Sequence, residues 1–415
     1  MCRSKERKGN SIPNHIRLEL TSVFLNILAL KRRGLLMEQE VVYSRMPDAA
    51  SAASELVSKL RKSAESYQAV FFMAAIRYDF AKLSEEIKKH FPNSEVMGAS
   101  TAGEISMEGF MNDTVVLTTM SSSSVKVRGV LVEHGSKYPV ACKAEIEKAL
   151  QQCGIKTNDP NSHTSAFALA FINGVFNAEE SILTNFYSII KNDNFKLAGG
   201  TAGYTGNEPK TFVSYNGKTT QDGAAFMFVK TSSPFDIRQE DIFNRSGKTF
   251  FVSQADTVNR KIIKFDGEAA QKVYAKKLGV SEEEAANMTF EHPFGRFLNG
   301  QVCIAALAGF TPSKEINLFA RVVPNSTLEL MQIGDPLEKC DETCRMIRSA
   351  IPHPKFVLMM TCITRTLAFA RMNISREIIS KYKANFPTFA GFSCYGEQLG
   401  RIHCNQTLVT LVMGD

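Results

Sequence analysis

The chain has 415 residues, of which 44% are hydrophobic and 22% charged, and it contains no tryptophan. That length exceeds one ordinary core, and that composition is the one of a water-soluble globular protein, not of a disordered or fibrous chain. The net charge of +7 is concentrated in residues 1–36, where eight Lys and Arg stand against two acids; the remainder carries +1 and has no electrostatic footprint for nucleic acid.

In chain order, the first segment is a basic leader with a short apolar run at 23–30. The run is far below the ~20 residues that span a bilayer. Lys31-Arg32-Arg33 follows it where a signal peptide would carry small residues. Arg32-Arg33-Gly34 is encodable as a bacterial ribosome-binding sequence just before Met37. The expectation is that residues 1–36 are translated leader, that Met37 is the start, and that no membrane is engaged. The nine cysteines are scattered and odd in number, with no Cys-Xaa-Xaa-Cys pair. This points to reduced thiols in a cytoplasmic protein. Cys340 and Cys344 have helical i, i+4 spacing and are either ordinary helix-face cysteines or a pair sharing a metal.

One pattern then recurs three times: apolar strand, amphipathic helix, strand, glycine turn, strand. The first copy has a strand over 69–76, a helix over 81–90, the turn Gly98-Ala99-Ser100-Thr101-Ala102-Gly103-Glu104 and a strand over 112–120. The middle copy has a strand over 166–172, a helix over 179–191 and Gly199-Gly200-Thr201-Ala202-Gly203, with Tyr204 in place of the glutamate. A hairpin turned at Asn216-Gly217 precedes its last strand, over 223–229. Residues 232–268 read as a linker zone, followed by a helix over 267–278 and short strands over 302–309, 316–323 and 327–331. Asp335 caps a helix running to residue 350. The last copy has a strand over 356–363, a helix over 375–385, the turn Gly391-Phe392-Ser393-Cys394-Tyr395-Gly396-Glu397 and a strand over 405–413. The apolar runs do not alternate, so these strands are expected to be covered on both faces. The fold class is α/β, with mixed sheets built from strand–helix–strand–turn–strand modules in two domains, 37–260 and 261–415.

Ligands of open α/β sheets bind beyond the carboxyl ends of the strands. Arg77 and Arg365 follow the first strand of the first and last copies, and with Cys362 they stand beside the turns that carry Ser100, Thr101, Glu104, Ser393, Tyr395 and Glu397. A guanidinium grips a carboxylate and a glutamate accepts from an ammonium, so this set reads the two ends of an amino acid. The competing reading is structural: Arg365 pairs with Glu397 and the glycines bend the backbone. Recurrence alone does not separate the two.

The paired turns, the prolines before them and the run from Cys362 to Arg365 resemble the FIST sensory family, over about residues 65–415. The resemblance implies a bacterial or archaeal signal-transduction input module that binds a small ligand, with an amino acid as the leading suggestion and no catalytic residues. It also implies output through a separate signalling protein, since the chain holds no output domain. Two alternatives stay open. One is an enzyme with a Ser100, Ser393, Cys362 or Cys394 nucleophile, though Gly-Xaa-Ser-Xaa-Xaa-Gly is not the hydrolase elbow. The other is a haem-based nitric-oxide sensor with His403, or else His353, as axial ligand.

Overall fold

A computed structural model describes residues 37–415 apart from Pro139 and Asn299. The leader reading of residues 1–36 therefore lies outside the described residues. The three copies form three equivalent six-stranded sheets. In the first, the strand Ala69–Ala75 lies between Val115–Ser121, antiparallel, and Glu95–Thr101, parallel. The second repeats this with Ala166–Ile172, Gly223–Thr231 and Lys196–Thr201. The third repeats it with Pro354–Cys362, Thr407–Gly414 and Ala390–Cys394. An outer antiparallel strand completes each: Glu38–Ser44, Val125–Glu133 and Phe235–Asp241.

The hairpin that follows each glycine turn leaves its own sheet and extends another. Residues 104–111 join the third sheet, 397–404 join the second, and 213–220 join the first. Each unit is thereby sewn to both others, so none is an independent domain. The strands are buried on both faces for a definite reason. Phe71 and Met73, Phe167, Leu169 and Phe171, and Phe356, Leu358 and Met360 point into one central core shared by all three sheets. The alternate residues Val70 and Phe72, Ala168 and Ala170, and Val357 and Met359 face the outer helices in three separate clusters. Central strands with two apolar faces cannot show period-two patterning.

The helices stand close to where periodicity puts them: Phe80–His90, Glu179–Ile190 and Ser375–Asn385. Asp335 caps Pro336–Ala350 through the N–H groups of Leu337 and Glu338. Asn216 (φ 49°) and Gly217 (φ 85°) make the expected hairpin turn.

The linker zone is corrected. Residues 235–241 pair along their whole length with the C-terminal strand, and Phe243–Asp256 is the long strand of a fourth, eight-stranded sheet. That sheet is inserted into the third unit, between its outer strand and its first helix. Its mixed charge misled because strands with one exposed face read as polar. Chain enters and leaves it side by side, with Phe243 opposite Ile333. It has its own core around Phe250, Phe265, Tyr274 and Phe294.

Candidate functional site

The three turns meet. The Gly203 N–H donates to the Ser100 carbonyl at 2.9 Å, the Tyr395 N–H to the Thr201 carbonyl at 3.0 Å, and the Ala102 N–H to the Ser393 carbonyl at 2.9 Å. Each unit thus hands a main-chain bond to the next, and the ring closes. Gly103 (φ 143°) and Gly396 (φ 139°) occupy backbone that side chains rarely adopt. At Gly396 a Cβ would also lie 2.4 Å from His403 Cε1. The glycines are fixed by the corner.

The glutamates lock the same corners. Glu104 accepts from the Thr101 hydroxyl, from the Thr114 N–H at 3.2 Å and from the Thr114 hydroxyl at 2.6 Å. Glu397 accepts from the Cys394 thiol at 3.0 Å, from the Thr407 N–H at 3.1 Å and from its hydroxyl at 2.5 Å. Both side chains are sealed from solvent. Burial pushes the Glu104 carboxyl up to about 7 and that of Glu397 up to about 8. In this arrangement neither is free to receive an ammonium group, a correction to the expected role.

Arg365 is likewise sealed. It pairs with buried Glu240, donates to the Thr361 hydroxyl at 3.2 Å and lies over the Phe369 ring. Its partner is neither Glu397 nor a guest, and the reason is tertiary: Glu240 arrives on the outer strand Phe235–Asp241. Arg77 is exposed, stacked on Tyr78 and bonded to the carbonyls of Asp113, Arg45 and Met46. The Ser100 hydroxyl donates to the Gly203 carbonyl and accepts from the Phe212 N–H. Ser393 is buried, 3.4 Å from the Thr366 hydroxyl.

Cys362 and Tyr395 stand elsewhere, in the wall of a cavity of about 330 Å³. Tyr204, from the middle turn, packs edge-on against Tyr395 at 5.2 Å between centroids, and the Tyr395 hydroxyl donates to its carbonyl at 2.7 Å. Ile363 and Thr364 begin the helix Ile363–Arg371, and Asn405 stands in the bend before the strand Thr407–Gly414. Ala306 and the exposed Phe319 border the cavity from the inserted unit. Among the described residues, no Asp, Glu, Lys or Arg lines it. A size of this order suits a small ligand, and apolar walls with few polar groups are usual for one. A larger, more open groove of about 490 Å³, between Phe110 and the helix Ser375–Asn385, lies away from the turns.

Family models for the FIST N domain and the FIST C domain match residues 68–268 and 270–399. The chain belongs to the FIST family. FIST domains are sensory modules that bind small ligands. No curated protein matches this FIST chain. Among solved structures it is similar to a cyanuric acid hydrolase from A. caulinodans, at 6% identity and a TM-score of 0.35, over 91% of this chain and 99% of that one. It is also similar to T. maritima PurL complexed with FGAR, at 10% identity and a TM-score of 0.19, over 92% and 75%. Scores this low carry no argument about chemistry.

His403 is buried in this FIST protein, and both ring nitrogens are engaged, Nδ1 with the Gln398 amide at 3.0 Å and Nε2 with the Phe319 carbonyl at 3.2 Å. Burial lowers its pKa below the usual imidazole value, which favours the neutral ring these partners need. It is unavailable as a haem ligand or as a base for a thiol. His353 is exposed at the start of a strand. Cys340 and Cys344 are buried in the core of the third unit. Among the described residues no group of three or more His, Cys, Asp and Glu is placed to hold a metal. No helix among them is long and apolar enough to cross a membrane.

The sequence reading missed Tyr204, Phe319, Ala306, Thr364 and Asn405. A signal existed for Asn405, which follows Glu397 by eight residues as Asn112 follows Glu104. None existed for Phe319 and Ala306, because the docking of the inserted sheet over the turns is a long-range event.

Proposed function

We propose that this FIST protein is a ligand-binding input module whose small guest occupies the cavity between the middle turn, the last turn and the inserted sheet. One observation carries the reading. In a family of sensory domains, a half-open cavity forms where parts distant in sequence converge, so a guest touches both the three-unit body and the insert. Binding that joins two bodies favours one arrangement of them, which is what transmission requires. The signal would pass to a separate signalling protein.

An amino acid is the finer reading. Aromatic faces at Tyr204, Tyr395 and Phe319 favour one with an apolar side chain, held without Arg365 and Glu397. The test is thermal melting with L-phenylalanine and L-leucine. A guest at a hundredfold excess over its Kd stabilises by about 2.7 kcal/mol, a shift of several degrees. Tyr395→Ala is expected to remove the shift. An unchanged shift in this variant would move the site elsewhere, and no shift with either probe would remove amino acids of this kind as the guest.

A further inference from the structure

The inserted sheet meets the three-unit body along a seam that carries two thiols. The strand Gln301–Ala305 of the insert packs against Ile402–Cys404, in the hairpin that follows the last turn. The Asn405 N–H donates across the seam to the Ile304 carbonyl at 3.2 Å, and the Ala306 N–H to Asn405 Oδ1 at 3.4 Å. Cys303 and Cys404 are buried there as free cysteines, with their thiols in hydrogen-bond contact. Gln239 Oε1, 3.6 Å from Cys404 Sγ, is a second acceptor for the Cys404 thiol. Thiols in such contact come within reach of a disulfide by small side-chain shifts.

The pair is asymmetric. Arg296 stands directly opposite Cys303 in the neighbouring strand, so the two side chains share a face. Its guanidinium crosses to the hairpin and donates to the carbonyl of His403, the residue before Cys404, at 2.6 Å. The bond from Cys404 holds the Cys303 thiol below its usual value against the effect of burial, and the Arg296 charge adds to it. The same bond, together with burial, pushes the Cys404 thiol well up. Cys362 and Cys394 are also neighbours across paired strands, but burial pushes both of those thiols up, and the Cys394 thiol donates to Glu397. The thiol that ionises more readily is the one that attacks an oxidant.

We infer that Cys303 and Cys404 form a peroxide-responsive dithiol whose disulfide ties the inserted sheet to the three-unit body. The Cys303 thiolate attacks hydrogen peroxide or an alkyl hydroperoxide. The O–O bond breaks, Cys303 becomes a sulfenic acid, and the leaving hydroxide or alkoxide takes the proton that Cys303 gave up. The Cys404 sulfur then attacks the Cys303 sulfur, the S–O bond breaks, and water leaves with the Cys404 proton. The two thiols lose two electrons and two protons, and the peroxide ends as two waters, or as water and an alcohol. The inference needs no guest in the cavity, although Ala306 and Asn405 of its wall flank the seam. Both thiols are sealed, so a peroxide reaches them when the seam opens, and the disulfide then holds it shut.

The experiment treats the folded full chain with hydrogen peroxide, blocks the remaining thiols with an alkylating agent and maps cross-links by mass spectrometry. The expected product carries a Cys303–Cys404 bridge, is about 2 Da lighter and regains its mass with dithiothreitol. In Cys404→Ser the resolving thiol is gone, and dimedone should trap a sulfenic acid at Cys303. In Cys303→Ser no bridge should form, and peroxide consumption should slow about tenfold or more. Hydrogen exchange over residues 301–306 should slow in the bridged chain and not in the peroxide-treated variants. Should either variant fail to fold, the cross-link map of the unmodified chain decides. A bridge between other cysteines, oxidation without a bridge, no reaction, or a bridge that forms only in denaturant would overturn the proposal.

Discussion

The ends of two equivalent strands have opposite fates. Pairing sets Ala75 beside Thr101 in the first unit and Cys362 beside Cys394 in the third, so Ala75 and Cys362 correspond. By that register Arg77 corresponds to Thr364, not to Arg365. In the first unit Arg77 folds onto Tyr78 and onto the carbonyls of Arg45 and Met46, just after the strand Glu38–Ser44, and the groove of about 420 Å³ at this strand end is lined in part by charged side chains, Asp79, Glu208 and Lys210. In the third unit the helix starts at once, its first turn stays uncapped, and the inserted sheet roofs the space with Ala306 and Phe319. The same module borders a groove with charged walls in one place and a cavity without Asp, Glu, Lys or Arg among its described lining residues in the other. The difference is the neighbour, not the turn.

The comparison is broken or sharpened most strongly at the arginines. Arg365→Ala leaves Glu240 buried without its partner, and removing one member of a buried pair costs about 3–5 kcal/mol. Arg77→Ala is expected to cost little, because that side chain is exposed. Urea unfolding measures both, and equal losses would mean that Arg365 is not sealed as described. The Arg365→Met, Glu240→Leu double variant should recover most of the loss.

Next come the glycines. Gly396→Ala meets both an unfavourable φ and His403 Cε1 at 2.4 Å, for a cost of about 2–4 kcal/mol. Gly103→Ala shares the φ but finds its nearest neighbour, Asn112 Oδ1, at 3.2 Å, and should cost about 1–3 kcal/mol. Thermal denaturation that reversed this order would contradict the tighter packing of the last turn.

The mildest changes are Glu104→Gln and Glu397→Gln. A carboxyl titrating near 4.5 when unfolded and at about 7 or about 8 when folded binds its proton more tightly in the fold. Its stabilisation is complete below about 4.5 and is lost as pH rises through those values. Stability should therefore fall between about pH 5 and pH 8, and each substitution should flatten the fall while changing little at pH 5. A wild-type profile that rises over this interval would show that the carboxyls are ionised in the fold.

Much of the architecture was legible because it is local. Apolar runs without alternation announced the central strands, helical stripes placed the helices, and Asn216-Gly217 announced its hairpin. The two glutamate turns were recognisable as a pair because backbone geometry demands glycine at a positive φ. Their purpose was not legible, since a corner that knits three sheets recurs in sequence just as a ligand site would. Of the expected site residues, the structure brings Cys362 and Tyr395 to the cavity wall. It seals Arg365, Glu397 and Glu104, and it leaves Arg77, Ser100 and Thr101 in the corners.

By itself, the sequence determined the repeating module, the strands and helices within it and the positions of the turns, because periodicity and glycine are read over a few residues. Only the tertiary structure decided which charges are paired and where space remains. Glu240 reaches Arg365 from 125 positions away. Phe319 and Tyr395, 76 residues apart, face one cavity only because an inserted sheet folds back over the turns. Electrostatic pairing and enclosure depend on distances through space, and no local pattern of residues carries those.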